Sequence, residues 1–550
     1  MSKLRPKQPA ARAASPARPA LPAGAGGVLA PVAAALLAMW LHRGALNVFF
    51  TTDDLILFER VQGIAPHPAT LWRVIPGRLW FEALMPVFGT APTGWHAVNL
   101  VLHGAVTALV AVWARRLGTS NVVAFAAAAL FGVTARARTA VWPVTGVGEM
   151  LAAALVLVAL IALERDSKRG GAIAAVAQGV AMFCKETLAL APLVAWLAPA
   201  EGRPRRLPVL PLALGLAVWV YVAFARSSTG SLGGEAYALG LGPHVVTHLL
   251  TYAVWSLDLL HLFGAVAEPL PAAWAIGGAV ALAVLVLGAW KSGVRAARAG
   301  LWFWLLALLP VLPLENAVYD HYLYAPRLGF AIAFAALLEA LVRGAAASAP
   351  APNALRARAA TALLLTLVFL HFATAGMFLA AAEGSRIERV NLPRDGFQRR
   401  LEVVRNAVVT LERQLPAGET RIVIYDTPES RLVLSVREGG LVGDTTRAAV
   451  RQRLFDAVLD EGRGLRALFP QLSSVRLATT VEPEDSTALV FIANADCRLL
   501  SCGKGADAHL QVAKLWAQSG MADAARRHLA EAEALHPGLV ARSAEAGLAP

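Results

Sequence analysis

Between residue 28 and about residue 380 the chain alternates apolar blocks with short polar or basic joints. Ala272–Trp290 carries no charge, and Thr361–Ala382 runs apolar until Glu383. Blocks of this length predict membrane-spanning helices, since about 20 apolar residues cross a bilayer core. The pattern predicts spans near Val28–Val48, Trp95–Val112, Val122–Val133, Met150–Leu163, Ala172–Phe183, Leu188–Leu197 and Val209–Phe224. Four more follow at Ala272–Trp290, Leu301–Leu312, Pro326–Leu341 and Ala360–Ala380, giving about eleven. Val245–Phe263 is also apolar, but its His248, Asp258 and His261 suit a helix lying along the membrane interface better than one facing lipid.

From Gly384 the pattern becomes that of ordinary soluble sequence. Phe397–Gln414 and Ala448–Leu459 have helical spacing, whereas Arg421–Tyr425, Arg431–Val436 and Ala488–Ile492 are strand-like. Residues 384–505 therefore predict a small α/β domain. Residues 506–550 predict a helical hairpin in which Ala513, Trp516, Gly520, Ala525, Leu529, Ala532 and Pro537 fall at the positions of a 34-residue tetratricopeptide pattern. A lone repeat builds no solenoid, so a plain hairpin packed on the α/β part is the alternative. The expected fold class is thus mainly α: a polytopic helix bundle over residues 28–383, with a small extracytoplasmic α/β domain ending in that hairpin.

Composition agrees with the membrane assignment: of 550 residues, 57% are hydrophobic and 16% charged, against about half and a quarter in soluble domains. The net charge of +13 is placed in short joints beside apolar blocks, a bias that orients membrane helices and does not point to nucleic acid. Residues 1–27 form a low-complexity basic tail with Lys3, Arg5, Lys7, Arg12 and Arg18, expected to be disordered and cytoplasmic. No small-residue cleavage site follows, so the first helix is expected to be retained. An odd number of spans then puts the C-terminal domain outside the cytoplasm. There Cys497 and Cys502 could form a disulfide or remain free thiols, and Cys184 lies within a span.

The joints assigned to the outer face hold the candidate chemistry. Asp53 and Asp54 follow the first span. One could act as a general base, and the other could bind a divalent cation or cap the helix beginning at Leu55. No cofactor is required by the sequence. Arg136, Arg138 and Glu149 lie in the second outer loop, where arginine suits phosphate or lipid head groups. Lys185 and Glu186 form an ionisable pair inside apolar sequence, a functional signal at membrane depth or a self-neutralising structural pair. Asp320, His321, Tyr322, Tyr324 and Arg327 fill another outer loop.

The order of these segments resembles integral-membrane glycosyltransferases of the C-type fold, and among them bacterial relatives of the transmembrane O-mannosyltransferases that carry tetratricopeptide repeats. Trp95-His96-Ala97-Val98-Asn99 with His103 is similar to their second-span signature. Ala129-Leu130-Phe131, Ala140-Val141, Gly146 and Glu149-Met150-Leu151-Ala152 resemble their second outer loop. Lys185-Glu186 with Pro192, and His321-Tyr322-Leu323-Tyr324-Ala325-Pro326 with Gly329-Phe330, resemble two further elements. The resemblance covers roughly residues 28–340. It departs at Thr134-Ala135 and Thr139, where the family carries His-Pro and an acid, and at Val147, where it carries a base.

The resemblance implies a polyprenyl-phosphate sugar as donor and a protein or glycan as acceptor, met at the periplasmic face of a bacterial inner membrane. Asp53 or Asp54 would be the base, with Lys185, Arg136, Arg138 and Arg327 as candidates for the donor phosphate. A non-enzymatic polytopic protein, whether inactive scaffold, transporter or flippase, is the competing expectation. No internal repeat of the transporter kind stands out.

Overall fold

The computed structural model describes residues 26–202, 204–229, 238–261, 271–315, 318–345, 353–388, 391–426, 459–478, 483–494, 496–518, 520 and 522–545. The basic N-terminal tail, the expected strand at 431–436 and nearly all of the expected helix at 448–459 lie outside these residues.

The first half of the bundle holds α1 (Gly26–Leu41), α2 (Thr52–Val61), α3 (Trp80–Phe88), α4 (Pro92–Arg116), α5 (Asn121–Gly132), α6 (Arg138–Val141), α7 (Val147–Leu163) and α8 (Lys168–Met182). The second half holds α9 (Leu193–Leu197), α10 (Val209–Thr229), α11 (Pro243–Leu257), α12 (Ala272–Lys291), α13 (Arg295–Leu308), α14 (Tyr324–Ala345) and α15 (Asn353–Gly384). Among the described residues, six helical segments are long and apolar enough to cross a membrane: Gly27–Asn47, Pro92–Arg116, Val144–Leu163, Ala272–Lys291, Asp320–Gly344 and Ala354–Gly384. Asn121–Gly132 and Ala135–Val141, bent by 51°, make a seventh if taken as one broken span.

Of the eleven or so expected spans, six or seven thus have full spanning length among the described residues. Helices α8 and α13 have 15 and 14 residues, about 21–23 Å at 1.5 Å per residue, against a core of about 30 Å. Apolar composition alone does not report where a helix ends, and α9 stops after 5 residues.

One core joins α1, α4, α5, α7 and α14 through small residues, including Ala34, Val110, Ala124, Ala128, Ala153 and Ile332. At the crossing of α13 and α14, a Cβ on Gly300 would lie 2.3 Å from the Gly329 carbonyl oxygen, so only glycine permits this approach. At one end of the bundle, Arg295 holds Glu164 through two hydrogen bonds of 3.0 and 2.7 Å. The basic start of α13 thus shares an end with Glu164 of the α7 terminus. Helix α11 sits at the other end, where Val254 packs against Gly278 near the start of α12.

At that second end, here the rim, the soluble domain docks. Its sheet has the order β4 (Ser474–Ala478), β3 (Arg421–Asp426), β5 (Leu489–Ala493), β6 (Leu499–Gly503). Strand β3 is parallel to β4 and β5, and β6 is antiparallel to β5. Side chains alternate across the sheet. Ile422, Ile424, Leu489 and Phe491 join the core that includes α16 (Gly396–Gln414), whereas Val423, Tyr425, Val490 and Ile492 face the helices Gly505–Gln518 and Ala522–Leu535. The terminal hairpin is thus one layer of the α/β domain, and its tetratricopeptide assignment rests on sequence pattern alone.

The three cysteines are free and buried. Of the two alternatives for Cys497 and Cys502, the structure has the free thiols: Cys497 belongs to the core on one face of the sheet and Cys502 to the core on the other.

Candidate active site at the rim

Helix α2 begins with a reciprocal cap. The Asp54 amide donates to Thr51 Oγ1 (3.4 Å) and the Thr51 amide donates to Asp54 Oδ2 (2.8 Å). This capping box satisfies donors that a helix start otherwise leaves open. The Thr145 amide donates to the other oxygen, Oδ1, at 2.7 Å. Both oxygens of the fully buried Asp54 are therefore occupied by backbone donors.

Asp53 differs. Among the described residues no hydrogen bond or ion pair holds its carboxylate, and it opens into a cavity of about 480 Å³. Asp53, Ile56, Leu57 and Arg60 line that cavity from α2. Their i, i+3, i+4, i+7 spacing makes one helical face. The facing wall brings Trp72, Arg73 and Arg78 from the segment before α3, with Thr145 beyond. Asp53 keeps its exposure on the cavity side, while the protein packed around α2 thins the water near it and Asp54 sits beside it. Both effects raise its carboxyl above the ordinary range, burial first, against a lowering by Arg400, Arg73 and Arg60.

Arg73 carries the charge network inward. Its guanidinium grips Glu186 through Nε–Oε2 (3.1 Å) and Nη2–Oε1 (2.9 Å), from a left-handed backbone of φ 49° that non-glycine residues seldom adopt. Next to Glu186, Lys185 pairs with Glu149 and lies 5.3 Å from the Tyr322 ring. The His321 ring is 4.4 Å from that of Tyr322. Asp53, Arg73, Glu186, Lys185, Glu149, His321 and Tyr322 thus form a continuous group at the rim.

The second-span motif holds this arrangement from below. Trp95 stacks on Phe81 at 5.0 Å. Asn99 donates to the carbonyls of Pro143 (2.6 Å) and Val141 (3.3 Å), anchoring the loop that bears Thr145. His103 bridges the Tyr324 hydroxyl and the Gly132 carbonyl, each at 2.9 Å.

The remaining arginines sit elsewhere. Arg136 is buried between Asp258 (3.2 Å) and Asp320 (3.1 Å), over the Trp255 ring. Arg138 pairs with Asp395 of the soluble domain at 2.6 Å. Arg327 donates to the Trp255 carbonyl at 2.9 Å. Arg136, Asp320, Tyr324 and Arg327 bound a void of about 10 Å³, room for roughly one water and not for a sugar. These arginines fasten loops together, whereas the cavity beside Asp53 is faced by Arg60, Arg73 and Arg78. Sequence reasoning missed those three, although the same signal, basic residues in a short joint between apolar blocks, marks the stretch from Arg60 to Arg78.

Among the described residues no group of three or more His, Cys, Asp or Glu side chains could hold a metal ion. The acid pair does not fit a cation either, because Asp54 has both oxygens on amide donors.

The chain matches no model of a known protein family, and no curated protein sequence matches it.

Proposed function

We propose that the protein is an integral-membrane glycosyltransferase that moves a sugar from a polyprenyl-phosphate donor to an acceptor hydroxyl on a protein or glycan. The observation that carries this reading is the placement of Asp53: a carboxylate open to a cavity of about 480 Å³ with apolar and cationic walls, beside an Asp54 charge that favours a raised pKa. A general base works best when its pKa is raised toward the working pH. Asp53 takes the acceptor proton, the acceptor oxygen bonds to the anomeric carbon, and the bond from that carbon to the phosphate oxygen breaks. The bonding pair leaves with the phosphate, whose growing charge Arg73 and Arg60 stabilise. Asp54 holds the helix, Glu186 holds Arg73, and Lys185 pairs with Glu149 beside them. Ile56, Leu57 and Trp72 suit the first isoprene units of the donor.

The resemblance to C-type-fold glycosyltransferases supports the same reading. It places the rim at the periplasmic face of a bacterial inner membrane and the N-terminus in the cytoplasm, with the shorter helices completing about eleven crossings. The tetratricopeptide-like assignment of residues 506–539 belongs to this reading and by itself supports no particular partner.

One observation favours a second reading. Thr139 stands where the family carries an acid, and its hydroxyl only caps the local turn by donating to the Arg136 carbonyl at 3.0 Å. An inactive scaffold of the same fold would look like this. The experiment that separates them supplies proteoliposomes with labelled polyprenyl-phosphate sugars and an acceptor extract, and follows label leaving the lipid. Sugar release that depends on Arg73 supports the enzyme. No release from any donor, with the protein intact, supports the scaffold.

A further inference from the structure

We propose that the soluble domain sets the position of Asp53, by clamping α2 from the side opposite the cavity; this rests on the reading of Asp53 as the base. Helix α2 has ten residues and two distinct faces. One face lines the cavity. The other, with Leu55, Glu59 and Gln62, lies against the short helix Arg463–Leu468 of the soluble domain.

Three contacts make the clamp. Gln62 Nε2 donates to the Ala467 carbonyl at 2.7 Å. The buried Glu59 carboxylate lies 3.7 Å from Arg463 Nε. Leu55 fits the space left by Gly464, where a Cβ would lie 2.7 Å from Leu55 Cδ1 and 3.1 Å from the Leu459 carbonyl oxygen. Phe50, Leu55 and Phe58 share a continuous core with Val403, Val404 and Leu465 of the soluble domain. The helix that presents Asp53 is thus packed into the soluble domain's own interior, and close-packed interiors transmit small shifts. Whatever displaces the Arg463–Leu468 helix displaces Asp53, two residues from Leu55.

The decisive contact is one of volume, so it can be broken and repaired. In full-length protein, Asp53→Cys is labelled with a charged maleimide; the native cysteines are buried. The labelling rate is compared in three backgrounds: Gly464, Gly464→Val, and Gly464→Val with Leu55→Ala. Gly464→Val is expected to change the rate by about fivefold or more, at the low end of what overpacking a core contact does, and Leu55→Ala to restore it. With Asp53 intact, kcat for sugar transfer is expected to fall by about tenfold or more with KM little changed, and to recover in the double variant.

An unchanged labelling rate in folded Gly464→Val, or no recovery with Leu55→Ala, overturns the clamp. Where Gly464→Val does not fold, Gln62→Ala replaces it, since it removes only the bond to Ala467. A shifted labelling rate then supports the clamp and an unchanged rate overturns it. Absence of transfer in the unaltered protein overturns the enzyme reading, and the labelling comparison still decides the clamp.

Discussion

The Thr145 amide lies 2.7 Å from Asp54 Oδ1, a bond that spans 91 positions of sequence and ties the first rim helix to the second rim loop. Asp53, one residue earlier, is left to the cavity. The two acids therefore have separable effects. Asp54→Ala removes the acceptor of both the Thr51 cap and Thr145, and is expected to destabilise the protein by about 2 kcal/mol or more. Asp53→Asn is expected to leave stability within about 0.5 kcal/mol, as exposed substitutions usually do. Thermal unfolding of purified protein in detergent checks both.

Arg73 and Glu186 form the bridge between the cavity wall and the Lys185 layer. The Glu186 side chain is only 8% exposed, so losing Arg73 leaves a buried charge with less compensation. Arg73→Ala and Glu186→Gln are each expected to cost about 3 kcal/mol. The double variant is expected to cost less than their sum, with a coupling of about 1–3 kcal/mol. A double-mutant cycle by unfolding measures it, and strict additivity would remove the bridge from the account.

The environment of Asp53 fixes the sign of a pH effect. Burial and the Asp54 carboxylate raise its pKa, so the base form is lost at a higher pH than for a free aspartate. Transfer is expected to be full above this raised value, and to fall as pH drops through it. The acid limb of the kcat/KM profile measures the shift, and a limb at the ordinary aspartate value near 3.8 would contradict it.

Glu59, in the clamp, is pushed up to about 8 by burial and then by the Asp460 carboxylate, against a lowering by Arg463. A carboxyl whose folded pKa is raised contributes stability that is complete below the unfolded value near 4.5. That contribution declines as pH rises and is gone above about 8. Glu59→Gln keeps the neutral form at every pH. It is expected to match the parent near pH 5 and exceed it near pH 9, with melting temperature as the readout.

Much of the rim was legible because its signals are local. Apolar length marked the six long spans, and ionisable residues in the joints marked Asp53, Glu149, Lys185, Glu186 and the His321–Tyr322 turn. What stayed hidden depends on partners distant in sequence. That Asp54 is taken up by backbone donors while Asp53 faces the cavity depends on Thr145, 91 positions away. Arg73 is gripped by Glu186, 113 positions away. Arg138 has its ion-pair partner in Asp395, 257 positions on. The choice between disulfide and free thiols at Cys497 and Cys502 stayed open for a related reason: spacing of five residues says nothing of which face of the sheet each thiol takes. The length of each shorter apolar helix was hidden because helix ends are set by caps and packing, which composition does not encode.

The most direct measurement is sugar release from a labelled polyprenyl-phosphate donor in membranes holding either the unaltered protein or Asp53→Asn at matched levels. The account predicts a loss of at least about a hundredfold in Asp53→Asn, within the range that removing a general base produces. Release undiminished in Asp53→Asn would contradict it.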